Sequence, residues 1–134
     1  MSLIPEWLDL ADRYQRISTA LTQSLAGSAY TVKDYCVLYF LSQAKNQQLR
    51  LTDLQMRVGV SASTLLHLIR QLKARSPDVI QSVTNEQQEA SVQLTVAGQA
   101  VLKTLTQQVE RTLTPYLESA GQSNLVLAEA LMLD

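Results

Sequence analysis

Between Ser61 and Arg75 the chain reads SASTLLHLIRQLKAR, and most of the side chains that could do chemistry stand close together there. Ser61, Ser63 and Thr64 offer hydroxyls, His67 offers an imidazole, and Arg70, Lys73 and Arg75 offer cations. Hydroxyls can bond base edges or phosphates, guanidinium and ammonium groups bind phosphate, and an apolar group such as Leu66 can pack on a thymine methyl. From Arg50 to Arg75 five bases are opposed by Asp53 alone, a local balance of +4 in a chain whose net charge is -1. Affinity for a polyanion would therefore come from local concentration of charge and not from the whole molecule. The next stretch, Ser76 to Leu94, holds Asp78, Glu86 and Glu89 with no base.

Catalysis has little to work with. His67 is the only histidine and Cys36 the only cysteine, and they fall on separate helical stretches. That arrangement argues against a metal site or a Cys–His nucleophile. There is no phosphate-cradling glycine loop, and the carboxylates scatter over helix surfaces. We expect no enzyme, no metal and no cofactor. Cys36 sits between Tyr35 and Val37 with only Lys33 and Asp34 charged nearby, which reads as a small buried hydrophobe and not as a redox thiol.

The elements that must position the basic segment follow from apolar spacing. A chain of 134 residues is one domain's worth, and 46% hydrophobic residues against 17% charged ones make it globular. The N-terminal stretch carries Ile4, Trp7, Leu8, Ala11, Tyr14, Ile17, Leu21 and Leu25 mostly every three or four positions, a long amphipathic helix expected to close at Gly27. A second helix opens at Thr31, with Asp34 at its positive end, and is apolar enough to be central. Thr52 is expected to cap a short helix with Leu54 and Val58 inward, Gly59 to supply a turn, and Ser61 or Ser63 to cap a longer helix with Leu65, Leu68, Ile69 and Leu72 on one face. Two such helices around a glycine turn make a helix-turn-helix. VIQSVT and ASVQL then alternate apolar and polar residues around a polar turn, a β-hairpin or wing. Thr95 caps another long helix, which Pro115 is expected to kink or restart, and SNLVLAEALMLD reads as a final apolar helix. No segment resembles a signal peptide, and no apolar run approaches the ~18 residues of a membrane span, so the reading is a soluble cytoplasmic protein without membrane contact.

The stretches YTVKDYCVLYFL, LTDLQMRVGVSASTL and, after the hairpin, LTVAG at Leu94 to Gly98 resemble, in this order and spacing, the MarR family of bacterial regulators, including staphylococcal accessory relatives. The resemblance spans roughly Thr31 to Leu105. It implies a mainly α fold, a winged helix-turn-helix with a small β-hairpin wing and long N- and C-terminal dimerisation helices. The chain would be a single domain over 1–134, with 1–29 and 99–134 forming the dimerisation helices and 30–98 the DNA-binding core. It further implies a homodimer that binds double-stranded DNA at a pseudopalindromic operator, with recognition helices in the major groove and a small-molecule effector near the junction with the dimer region.

On that reading Ser61, Ala62, Ser63, Thr64, Leu66 and His67 face the groove, and Arg70, Lys73 and Arg75 bind phosphates. Asn85, Gln87 and Gln88 belong to the wing. Ile4, Trp7, Leu8, Leu125, Leu131 and Met132 lie in the dimer contact, since both ends of the chain present more apolar surface than a small monomer should expose. Tyr14, Ile17, Tyr35 and Tyr39 could line an effector pocket, though their helical spacing equally suits ordinary core. Two features depart from the family pattern. Leu66 and His67 stand where a hydroxyl residue and an arginine are usual, and the wing carries Glu86 and Glu89 where arginine is usual. The wing could lie away from DNA, binding could be weak and helix-dominated, or this surface could meet a basic protein partner. The alternative function is accordingly a winged-helix interaction module that antagonises or pairs with a regulator.

Overall fold

The computed structural model describes the backbone of residues 2–132 and the side chains of residues 2–117. The elements run α1 (Ile4–Leu25), α2 (Val32–Gln43), a single helical turn (Lys45–Gln47), β1 (Gln48–Arg50), α3 (Leu51–Val58), α4 (Ala62–Arg75), β2 (Ile80–Thr84), β3 (Ala90–Leu94) and α5 (Val96–Met132). They divide into two compact units, Met1–Gly27 with Gln107–Asp134, and Ser28–Thr106.

Within the second unit, local chemistry starts each helix. The Thr31 hydroxyl accepts the Asp34 amide at 3.1 Å, and the Asp34 carboxylate accepts the Thr31 amide at 2.9 Å, a reciprocal cap that opens α2. Val37, Leu38 and Leu41 on that helix are buried, and α2 packs against α3, α4, β1 and β3. Each such side chain contributes roughly 1.5–3 kcal/mol relative to leaving it in water. Gly59 ends α3 at φ 78°, a left-handed conformation open to glycine at little cost. Ser61 caps α4 by accepting the Thr64 amide at 3.2 Å, and Leu65, Ile69 and Leu72 are buried on its inner face. The hydroxyl of Thr95 accepts the Gly98 amide at 3.0 Å and so caps α5.

The sheet is antiparallel, in the order β1-β3-β2. Ile80 faces Leu94 and Thr84 faces Ala90 across the hairpin, while Gln48 faces Gln93 and Arg50 faces Ser91 on the other side of β3. In the first unit, the Ser24 hydroxyl accepts the Thr112 hydroxyl at 2.8 Å, joining the end of α1 to α5.

Several sequence expectations need correction. Gly27 does not adopt a left-handed cap, because α1 ends through Ala26 in right-handed geometry. Thr52 lies inside α3, which begins at Leu51 after Arg50 without a side-chain cap. β1 has no signal of its own in the sequence: Gln-Leu-Arg offers one apolar residue and draws its strand character from β3. Pro115 neither ends nor restarts the last helix, which continues as α5 to Met132 and takes in the expected tail helix.

Gly98 gives the packing a direct test. A Cβ there would stand 2.1 Å from the Val79 carbonyl oxygen and 2.6 Å from the Leu94 side chain, where neither a main-chain oxygen nor the strand beside it can yield cheaply. Gly98→Ala is expected to lower stability by about 1–3 kcal/mol or more, measured by urea unfolding. Gly27→Ala, with nothing within 4 Å of the added carbon, is expected to leave stability unchanged or raise it by up to about 1 kcal/mol.

Candidate nucleic-acid interface

Burying Leu65, Ile69 and Leu72 forces the opposite face of α4 outward. Ser63, His67, Arg70 and Ala74 recur there at three- and four-residue spacing and are exposed, with Ala62, Thr64 and Leu66 beside them. Leu66 is 41% exposed, unusual for a leucine in a helix with a well-filled inner face. The hydroxyls of Ser61, Ser63 and Thr64 cluster at the helix start, with Ser61 Oγ 2.8 Å from Thr64 Oγ1 and 3.2 Å from Ser63 Oγ. Ser61 also serves as the cap, so its oxygen is partly committed, while Ser63 and Thr64 point acceptors and donors outward at the positive helix end.

The expected cations divide into three kinds. Arg70 is exposed and has no hydrogen-bond or ion-pair partner among the described residues. Lys73 is half-buried and donates to the Ser82 hydroxyl on β2. Arg75, expected to bind phosphate, is instead engaged within the fold: its Nη2 donates to Asp34 Oδ2 at 2.8 Å, and the Asp34 side chain is only 1% exposed. Only the Asp34 half of the pair is buried, and removing Arg75 would leave that carboxylate without its cation. A cleft of about 520 Å³ runs between α4 and the hairpin, with Leu66, Arg70 and Lys73 on one side and Ser82, Thr84 and Ser91 on the other.

The wing turn organises itself. Asn85 Oδ1 accepts the amides of Gln87 at 3.0 Å and Glu89 at 2.8 Å, and Gln88 adopts φ 63°. Glu89 is not a free acid: it accepts Arg50 Nη1 at 2.9 Å and Asn85 Nδ2 at 3.1 Å. Asp53 holds the rest of the same guanidinium through Nε at 2.9 Å and Nη2 at 3.2 Å. The Arg50 guanidinium holds the carboxyls of both Glu89 and Asp53 below the usual carboxylate range, with Asn85 adding to the effect at Glu89. Two of the five bases counted between Arg50 and Arg75 are therefore already matched by acids. Glu86 remains exposed, without a partner among the described residues.

The remaining expected sites distribute as follows. Ile4, Trp7 and Leu8 are 60%, 63% and 53% exposed in the single chain, in a row with Leu3, Leu10 and Tyr14. Leu125, Leu131 and Met132 fall outside the described side chains. Tyr14 is exposed and Ile17 half-buried on α1 in the first unit, whereas Tyr35 and Tyr39 belong to the second, their rings 6.2 Å apart. The Tyr35 hydroxyl lies 2.9 Å from that of Thr106. Cys36 is half-buried, and burial pushes its thiol up against the opposing pull of Lys33, the setting of an unreactive side chain. Among the described residues no group of acids, histidine and cysteine could hold a metal ion, and no helix is long and apolar enough to cross a membrane.

No protein-family model matches the sequence, nor does any curated protein. Solved structures do match the fold. AbsC, a MarR family transcriptional regulator from Streptomyces coelicolor, superposes with a TM-score of 0.79 at 18% identity, over 96% of this chain and 93% of its own. A MarR family regulator from Rhodococcus sp. RHA1 gives 0.78 at 16% identity, over 99% and 94%. BpsR of Bordetella bronchiseptica, whose DNA binding is regulated by 6-hydroxynicotinic acid, gives 0.71 at 21% identity, over 92% and 87%. A mainly helical chain with a three-stranded sheet, a glycine-turned helix pair and a hairpin wing thus has the winged-helix fold of the MarR family of transcriptional regulators.

Proposed function

We propose that the chain is a transcriptional regulator that binds double-stranded DNA as a homodimer, with α4 of each protomer entering the major groove at one half of a pseudopalindromic operator. The observation that carries this reading is the division of α4: Leu65, Ile69 and Leu72 are buried, while Ser63, Thr64, Leu66, His67 and Arg70 are exposed together on the outer face. Ser63 and Thr64 supply hydrogen bonds at the helix start, Leu66 supplies apolar contact, His67 can bond a base edge, and Arg70 supplies a free cation for phosphate. Lys73 can reach phosphate by leaving Ser82, and Ala62 and Ser61 support the helix start. Asn85, Gln87 and Gln88 would meet the duplex only through neutral hydrogen bonds.

The dimer is supported by the row of exposed apolar side chains on α1, which a solitary chain would leave in water. Leu125, Leu131 and Met132 join the same proposal on sequence grounds. Regulation of BpsR by a small hydroxylated aromatic acid suggests a comparable effector here, with Tyr35 and Tyr39 of the second unit as candidate contacts. An interaction module on the same scaffold is the second reading, favoured by the exposed Leu66 and by the unmatched acid at Glu86.

Arg70→Ala is expected to weaken binding to all duplexes and to lower the slope of log affinity against log salt by about 0.9 per protomer, measured by fluorescence titration at several salt concentrations. An unchanged slope would remove Arg70 from the interface, and no duplex binding by the unaltered protein would favour the interaction module. Trp7→Glu is expected to cost the dimer about 2 kcal/mol or more, seen as dissociation in sedimentation equilibrium. Persistence of the dimer in that variant would place the contact elsewhere. Glu86→Gln is expected to strengthen duplex binding roughly twofold to fivefold in dilute salt, the effect of one screened charge. Equal affinity would put the wing off the duplex.

A further inference from the structure

Arg75 has the charge of a phosphate ligand and stands five residues beyond Arg70, in the last turn of the helix that would enter the groove. Each of its three nitrogens already donates one hydrogen bond within the fold. Nη2 donates to Asp34 Oδ2 at 2.8 Å, Nη1 donates to the Ala29 carbonyl, and Nε donates to the Gln71 carbonyl at 3.3 Å. Asp34 is buried, its Oδ1 has no hydrogen-bond partner among the described residues, and Arg75 is the cation in ion-pair distance of it. A phosphate that drew this guanidinium away would strand a buried carboxylate, whereas Arg70 gives up nothing to bind one.

The neighbouring residue repeats the arrangement. Ser76 Oγ lies 2.8 Å from the Tyr30 hydroxyl, and Ser28 Oγ accepts the Tyr30 amide at 3.1 Å while donating to its carbonyl at 3.0 Å. The segment from Ser28 to Asp34 thus grips the C-terminal end of α4 through Ala29, Tyr30 and Asp34. Arg70 lies five residues, ~7.5 Å, along the helix axis from that grip.

We propose that Arg75 is a positioning residue: held by Asp34 and Ala29, it sets where the last turn of α4 lies, and hence where Arg70 and Lys73 meet the backbone, and it makes no phosphate contact itself. This rests on the DNA-binding reading above. Two variants separate the roles. Arg75→Lys keeps the charge but loses the fork that bonds Asp34 and Ala29 together. Asp34→Asn combined with Arg75→Gln removes both charges and leaves two amides that can bond each other. Each is compared with the unaltered protein by duplex affinity across a salt series, and by amide hydrogen exchange without DNA.

Arg75→Lys is expected to weaken binding roughly tenfold at every salt concentration, the scale of a lost hydrogen bond to a charged group, without changing the salt slope. It should also speed exchange in Ser28–Asp34 and in the last turn of α4. The double variant is expected to recover most of that loss at the unaltered slope. Arg75→Lys binding like the unaltered protein, or a slope lowered by about 0.9 per protomer in the double variant, would overturn the proposal. If the unaltered protein bound no duplex, the DNA-binding reading would fail by itself; exchange would still decide the anchoring, and unchanged exchange in Arg75→Lys would overturn it.

Discussion

The burial of one face of α2 is the constraint on which the winged-helix unit depends. Leu38 and Leu41 are fully enclosed and Val37 nearly so, and the helix that carries them touches α3, α4, β1 and β3. α4 packs against both α2 and α3, and the side chains it turns toward them leave its opposite face to solvent. Asp34, at the start of the same helix, adds a polar constraint to the apolar one. It closes the cap with Thr31 and holds Arg75, joining the first turn of α2 to the last turn of α4.

Charge on this molecule is better understood by pairing than by counting. The +4 between Arg50 and Arg75 overstates what a polyanion would meet, because Arg50 is shared between Asp53 and Glu89, and Arg75 is matched by Asp34. The acidity of the wing is overstated for the same reason. Glu89 fastens the hairpin to the start of α3 and leaves Glu86 as the acid exposed at the turn. What remains of the five bases is Arg57 on α3, Arg70 on the outer face of α4 and Lys73 beside the hairpin, with hydroxyls at the start of α4. Such a surface favours binding dominated by α4 and sensitive to salt.

Features set by neighbouring residues were legible in the sequence. The Thr31–Asp34 cap, the Gly59 turn, a serine cap at the start of α4 (Ser61, of the two serines expected), the inward row on α4 except the half-buried Leu68, the hairpin and the Thr95 cap all arise from residues close in the sequence. What could not be read depends on distant partners. β1 exists because β3 runs beside it, and Gln48, Leu49 and Arg50 carry too weak a pattern to announce it. The grip of Asp34 on Arg75 joins residues 41 positions apart, and nothing in the spacing of α4 announces it. Arg50 and Glu89, 39 positions apart, pair equally without a local signal. The exposed outer face of α4 was legible from the 3.6-residue period, but which of its cations were free was not.

The central claim is that two copies of α4, held in a twofold pair, read DNA through their outer faces. Selection of bound sequences from a pool of random duplexes at physiological ionic strength tests it most directly. Enrichment of an inverted repeat with half-site centres about one helical turn, ~34 Å, apart is the expected result. Recovery of no preferred sequence, or of a motif without twofold symmetry, would contradict it.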